Sequence, residues 1–316
     1  MKETIIFSLT SSTELAEEIC EYLGIAKGKC SVKHFADGEI IVEPEETVRG
    51  RSVYIVQSTC SPVSERLMEV LIAIDACHRA SAGEINVVMP YYGYARQDRK
   101  ARPRQPITSR LVANLLETAG ADRVITVDLH ASQIQGFFNV PIDDLTAINL
   151  MGQYFRSKQL EDIVVVSPDH GGTTRARKLA DCLEAPIAIV DKRRPKPNVA
   201  EAMNVIGDVE GKNAIIVDDI CDTAGSLMAA VNILKKNGAK NVYCAVTHSI
   251  LSGPAIERIN DAPVEEFVTT NTIPLSPEKK EACPKITVLS VGYMIAKTIE
   301  AIQKHNPVSE VYDLFR

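Results

Sequence analysis

Long hydrophobic runs are missing from this chain: among its 316 residues no uninterrupted apolar stretch approaches the roughly 18 that a membrane helix needs, so no membrane partner is expected. C-x-x-C pairs are missing as well. The 8 cysteines are scattered singly, which argues against a disulfide framework and against a zinc site. There is no excess of positive charge, and a net charge of -6 argues against general nucleic-acid binding. The opening residues, MKETIIFSLTSSTELAEEI, lack the basic start and long apolar region of a signal peptide. A reduced, cytoplasmic protein is expected, and its length suggests about two domains.

The most informative stretch is 215–226, IIVDDICDTAGS. Ala214, Ile215, Ile216 and Val217 form an apolar run without alternation, as in a strand covered on both faces of a parallel sheet. Asp218 and Asp219 are expected at the end of this strand. Asp222, Thr223, Ala224, Gly225 and Ser226 form a short loop, and a helical pattern follows over 227–236. A strand, a loop of small residues and a helix N-terminus together hold phosphate, because free N–H groups, the helix dipole and hydroxyls converge. The neighbouring carboxylates suit hydroxyls or a metal-bound sugar, so the stretch reads as a sugar-phosphate site. The plainer alternative is a tight turn with acidic residues capping a helix.

Two short basic segments stand out from the acidic background: RQDRKARPR at 96–104 and KRRPKP at 192–197. They fit a small polyanion, unless they are merely solvated loops. Elsewhere strands are expected at 4–9, 53–57, 85–90, 123–129, 163–167, 187–190, 242–247, 266–270 and 286–289. Helices are expected from a capping box at Ser11-Ser12-Thr13-Glu14 to about Leu23, and over 64–80, 109–118 and 295–304. Paired short strands are expected around Asp37-Gly38, with Phe35, Asp37 and Glu39 alternating onto one side of an extended segment. That face suits a purine, or is simply a hairpin tip. Asp128 and His130 are expected to share a face at a strand end, where His130 could ligate a metal or contact a phosphate. Asp169, opening the loop PDHGGTT, could hold a cation directly or through water.

The stretch 131–150 reads as a connection, with a domain boundary near 145. Two related halves are expected. Gly120-Ala121, Val124 and His130 match Gly238-Ala239, Val242 and His248 at equal spacing, and the same offset pairs Asn114 with Asn232, Leu116 with Leu234 and Thr108 with Ser226. The first half lacks the Asp-Asp-x-x-Asp-Thr loop.

VDDICDTAGS resembles the phosphoribosyl diphosphate loop of type I phosphoribosyltransferases. FADGE at 35–39, YARQDRK at 94–100, DLHASQIQGFF at 128–138, SPDHGG at 167–172 and DKRRP at 191–195 together resemble the class I ribose-phosphate pyrophosphokinase family, in the family's order and essentially end to end. The resemblance implies an α/β protein of two type I phosphoribosyltransferase-like domains, 1–145 and 146–316, each a mainly parallel sheet flanked by helices, with the C-terminal helix packing back on the first. It implies transfer of the diphosphoryl group of ATP to ribose 5-phosphate, with Mg²⁺. Phe35, Asp37, Gly38 and Glu39 would take adenine for a neighbouring subunit, so an oligomer, commonly a hexamer, follows. Arg96 and Gln97 would reach the nucleotide, and His130 and Asp169 would be the Mg²⁺-associated pair. Asp218, Asp219, Asp222, Thr223, Ala224, Gly225 and Ser226 would hold ribose 5-phosphate. Lys192 and Arg194 would stabilise charge at the β-phosphoryl group, Arg194 also touching the sugar phosphate.

Ser226 stands where threonine is common in the family, and both offer a hydroxyl. Thr47 and the ending NPVSEVYDLFR depart from the family pattern in the region, with Arg49, that binds regulatory phosphate or ADP. A phosphoribosyltransferase would leave FADGE and the Lys192–Arg194 segment without a task. A non-catalytic regulatory subunit would have lost the basic loop, the metal pair or the acidic loop, and all are intact.

Overall fold

A strand that is apolar along its whole length needs cover on both faces. Ser52–Val56 is buried at every position, and Glu84–Met89 at all but its first. The computed structural model describes residues 3–193 and 202–315. The chain folds as two compact units, one of Met1–Thr146, Thr272–Pro274 and Ser290–Tyr312, the other of Ala147–Asn271, Leu275–Leu289 and Asp313–Arg316.

Unit one begins with β1 (Thr4–Ser8), α1 (Thr13–Leu23), β2 (Cys30–His34), β3 (Ile40–Pro44) and β4 (Ser52–Val56). It continues with α2 (Val63–Arg79), β5 (Glu84–Met89), α3 (Thr108–Ala119), β6 (Arg123–Val127), a 3-10 turn at Ser132–Phe137 and β7 (Ile142–Leu145). The sheet runs β1-β4-β5-β6-β7, every pair parallel, while β2 and β3 form a separate antiparallel hairpin. Ile55, Val87 and Val124 lie in its core.

Unit two contains α4 (Ile148–Ser157), β8 (Ile163–Ser167), α5 (Thr173–Leu183), β9 (Ile187–Arg193), β10 (Ala202–Ile206) and β11 (Asn213–Cys221). After these come α6 (Gly225–Lys236), β12 (Asn241–Ser249), α7 (Ala255–Asp261), β13 (Glu266–Thr270), α8 (Pro277–Ala282) and β14 (Ile286–Leu289). Its sheet runs β10-β9-β8-β11-β12-β13-β14, parallel except for the edge strand β10. Ile216, Val231 and Val246 lie in its core. The last helix, α9 (Gly292–Lys304), belongs to unit one and packs on α1.

The paired Gly-Ala motifs are the same local device in both units. Gly120 (φ 115°) and Gly238 (φ 86°) leave α3 and α6 in the left-handed region that glycine tolerates. Ala121 and Ala239 then donate to the carbonyls of Leu116 and Leu234, each at 3.1 Å, and the chain enters β6 or β12.

Four expectations are corrected. Ser12 caps no helix N–H; its hydroxyl accepts instead from Ser58 N at 2.9 Å, a buried backbone group that would otherwise lack a partner. The stretch 131–150 is more than a connection, since it contains β7, a strand disguised by Asp143 and Asp144. Asp143 pairs with Arg123 at 2.6 Å, and Asp144 accepts from Thr126 Oγ1 at 3.0 Å and Leu129 N at 3.1 Å. β6 ends at Val127, and Asp128 takes φ 44°, so Asp128 and His130 are not a strand-alternating pair. Phe35, Asp37 and Glu39 lie in the hairpin loop, and a left-handed Gly38 (φ 94°) replaces an extended segment.

Candidate active site

The acidic pair of unit two lies inside a strand. β11 continues past the apolar run to Cys221, pairing Asp218 with Val246 and Ile220 with His248 on β12. Arg175, on α5, bridges the carboxylates, 3.1 Å from Asp218 Oδ1 and 3.3 Å from Asp219 Oδ1. Asp219 N also donates to Asp218 Oδ1 at 2.9 Å. Burial pushes the Asp218 carboxyl up from 3.8 to about 7; the Asp219 charge adds to the rise and Arg175 opposes it. Asp218 is therefore harder to ionise than a free carboxyl.

Beyond Cys221 the chain turns sharply. Ala224 takes a left-handed conformation (φ 59°) as the N-cap of α6, and its methyl offers no oxygen to cap the helix. The first-turn N–H groups of a helix have no partner within it. Here they follow Asp222 and Thr223 and carry Gly225 and Ser226, with Thr223 and Ser226 exposed. The geometry is an open anion cradle beside two acids.

The second loop of this unit follows β8. Asp169 is exposed, its Oδ1 accepts from Gly172 N at 3.0 Å, and Ser167 Oγ donates to its carbonyl at 2.6 Å. A Cβ at Gly172 would lie 2.9 Å from Ser167 Oγ, so a larger residue there would displace that hydroxyl from the Asp169 carbonyl. His170 Nε2 meets Asp191 Oδ1 at 3.0 Å, which ties the loop to β9, the strand that carries Lys192. Lys192 pairs in register with Met203. Arg194 lies outside the described residues.

In unit one, Phe35 is 55% exposed at the hairpin tip. Phe35 N donates to Glu39 O at 2.8 Å, Gly38 N to Phe35 O at 3.0 Å, and Glu39 N to Asp37 Oδ1 at 3.1 Å, so the loop holds its own shape. Arg96 and Gln97 are exposed on the loop after β5. Thr108 Oγ1 donates to Gln97 Oε1 at 2.5 Å, anchoring it to the start of α3. His130 is exposed just after β6.

Among the described residues no group of three or more His, Cys, Asp or Glu side chains converges on a metal position. Nor is any helix of those residues long and apolar enough to cross a membrane. Arg175 escaped the sequence reading. It lies in the helical stretch TTRARK, where a basic residue carries no periodic mark, and its link to Asp218 exists only through the packing of α5 on β11.

The chain is similar to a solved phosphoribosylpyrophosphate synthetase from Mycobacterium smegmatis, with a TM-score of 0.91 and 42% identity over 96% of this chain and 100% of that one. Fold and loop together define an α/β protein of the type I phosphoribosyltransferase-like class. A model for the N-terminal domain of ribose phosphate pyrophosphokinase matches residues 4–120, and one for the phosphoribosyl synthetase-associated domain matches 192–316. The ribose-phosphate pyrophosphokinase of Bacillus caldolyticus is 62% identical over 98% of this chain and 97% of its own length. That of Bacillus subtilis is 58% identical over 98% of each. The chain belongs to the ribose-phosphate pyrophosphokinase family. It is an enzyme that transfers the β,γ-diphosphoryl group of ATP to the C1 hydroxyl of ribose 5-phosphate, giving 5-phosphoribosyl 1-diphosphate and AMP.

Proposed function

We propose that this transfer runs on the residues described above in the following roles. The phosphate of ribose 5-phosphate rests on the α6 N-terminus, held by Asp222 to Ser226 backbone groups and by the Thr223 and Ser226 hydroxyls. Asp218 and Asp219 accept from the ribose hydroxyls. Phe35 stacks on adenine while Asp37, Gly38 and Glu39 meet its edge, in the active site of a neighbouring subunit. Arg96 and Gln97 bind the nucleotide. The C1 oxygen attacks the β-phosphorus, the bond to the α-phosphate oxygen breaks, AMP leaves, and the C1 hydroxyl proton passes to solvent. Lys192 and Arg194 stabilise the charge that grows on the transferring group.

The donor set fits Mg²⁺. This ion keeps much of its water and takes one or two carboxylates together with substrate phosphates, and Asp169 offers one exposed carboxylate whose orientation Gly172 N–H fixes at 3.0 Å. Asp169 would hold the ion directly or through water. His130 would act through water or a phosphate oxygen, since Mg²⁺ favours oxygen ligands. When bound, the ion would neutralise phosphate charge. The assembly is a homo-oligomer, a hexamer by family, working in the cytoplasm.

The observation that carries this reading is the N-terminus of α6, whose N-cap Ala224 has no capping oxygen, beside Asp218 and Asp219. The test is AMP formation from ATP and ribose 5-phosphate with no nucleobase present. AMP is expected from the wild type, and Lys192→Ala is expected to lower kcat far more than it raises either KM. No AMP from the purified chain, or equal losses in kcat and binding, would overturn the reading.

A further inference from the structure

The Thr223–Ala224 peptide is held from a neighbouring helix: Arg258 of α7 donates through Nη1 to the Thr223 carbonyl at 2.9 Å. A trans peptide is planar, so a contact at its C=O also constrains the N–H on its other edge. That peptide leads directly into Gly225 and Ser226, whose N–H groups open the first turn of α6. It also precedes Ala224, held left-handed at φ 59°, a conformation that costs any residue with a Cβ. Arg258 also packs closely on Gly225: a Cβ there would lie 3.1 Å from its Nη1.

We infer that Arg258 is a positioning residue for ribose 5-phosphate: its guanidinium holds the Asp222–Ser226 loop in the form that presents the α6 N–H groups to the phosphate. The inference rests on the proposed assignment of that loop to ribose 5-phosphate. Arg258 itself touches a backbone carbonyl, and its effect reaches the substrate through the loop. A charge-assisted hydrogen bond of this kind is worth about a tenfold change in affinity.

The experiment uses the full chain. Arg258→Ala is expected to raise KM for ribose 5-phosphate about tenfold while leaving KM for ATP and the melting temperature unchanged. Arg258→Lys keeps a charged donor on α7 and is expected to recover part of that KM. An unchanged KM for ribose 5-phosphate in Arg258→Ala, an equal rise for ATP, or a fall in melting temperature that accounts for the lost binding would each overturn the inference. Asp222→Asn and Ser226→Ala separate it from the reading beneath it. If they leave ribose 5-phosphate binding intact, the loop assignment fails; if they weaken it while Arg258→Ala does not, the role of Arg258 alone fails.

Discussion

In its proposed role Asp218 is needed as an anion where its surroundings disfavour charge. Burial is the largest cause, raising its carboxyl from 3.8 to about 7, and among the described side chains acting on it Arg175 lowers it. Two pH dependences of opposite sign follow. In that proposed role the ionised form accepts hydrogen bonds from ribose, so kcat/KM for ribose 5-phosphate is expected to fall on the acid side as the raised carboxyl takes up its proton. Stability runs the other way. The unfolded carboxyl ionises near the ordinary value of about 4, the folded one near 7. Folding therefore favours the protonated form, and stability declines as pH rises between those values, then levels off. Arg175→Gln removes the opposing charge, so the acid limb is expected to move to higher pH in a profile of kcat/KM for ribose 5-phosphate. A limb that stays in place would show that Arg175 does not tune Asp218. Asp218, Asp219 and Asp222 were legible in the sequence because they cluster within five consecutive positions. Arg175 and Arg258 were not, because one reaches the end of β11 and the other the loop after it from helices elsewhere in the chain, and only the packing of α5 and α7 brings them there.

Elements are tied together in unit one by a carboxylate with no solvent exposure. Glu69, on α2, accepts from Thr10 Oγ1 at 2.7 Å and Gln57 Nε2 at 2.6 Å, and pairs with Arg66 Nη1 at 2.8 Å. Thr10 follows β1 and Gln57 follows β4, so one side chain joins a helix to two strand ends. Glu69→Ala strands a guanidinium and several polar groups and is expected to destabilise unit one by about 3 kcal/mol or more. Glu69→Gln keeps the shape and is expected to cost less. Hydrogen exchange at the α2 amides measures both, and equal protection in all three proteins would refute the claim. At this scale legibility followed burial. Strands covered on both faces, such as β4, β5 and β8, announced themselves as apolar runs. β7 did not, because Asp143 and Asp144 are satisfied by Arg123 and by Thr126 and so need no water. The capping box failed for a related reason: Ser12 had a buried N–H at Ser58 to satisfy, and tertiary demand outweighed the local pattern.

For the whole molecule, the hairpin and the basic strand end make a prediction that no single chain can answer. Phe35 is an aromatic side chain more than half exposed on a loop whose backbone is internally bonded, a shape ready to be met from outside. The proposed oligomer gives it a task in the active site of a neighbour, while Lys192 serves the site of its own chain. Complementation then distinguishes shared from self-contained sites. Subunits carrying Phe35→Ala with Asp37→Ala, and subunits carrying Lys192→Ala, are each expected to form nearly inactive oligomers. Dissociated, mixed in equal amounts and reassembled, they create sites that take an intact hairpin from one variant and an intact Lys192 from the other. With random neighbours such sites make up about a quarter of the total, because each of two independent choices succeeds half the time in a symmetric assembly. Recovery near that fraction, in particles of unchanged mass, is the expected outcome. A mixture no more active than the sum of its parents would mean that each chain completes its own adenine site, and the hairpin would then have to be assigned to the nucleotide of the same subunit.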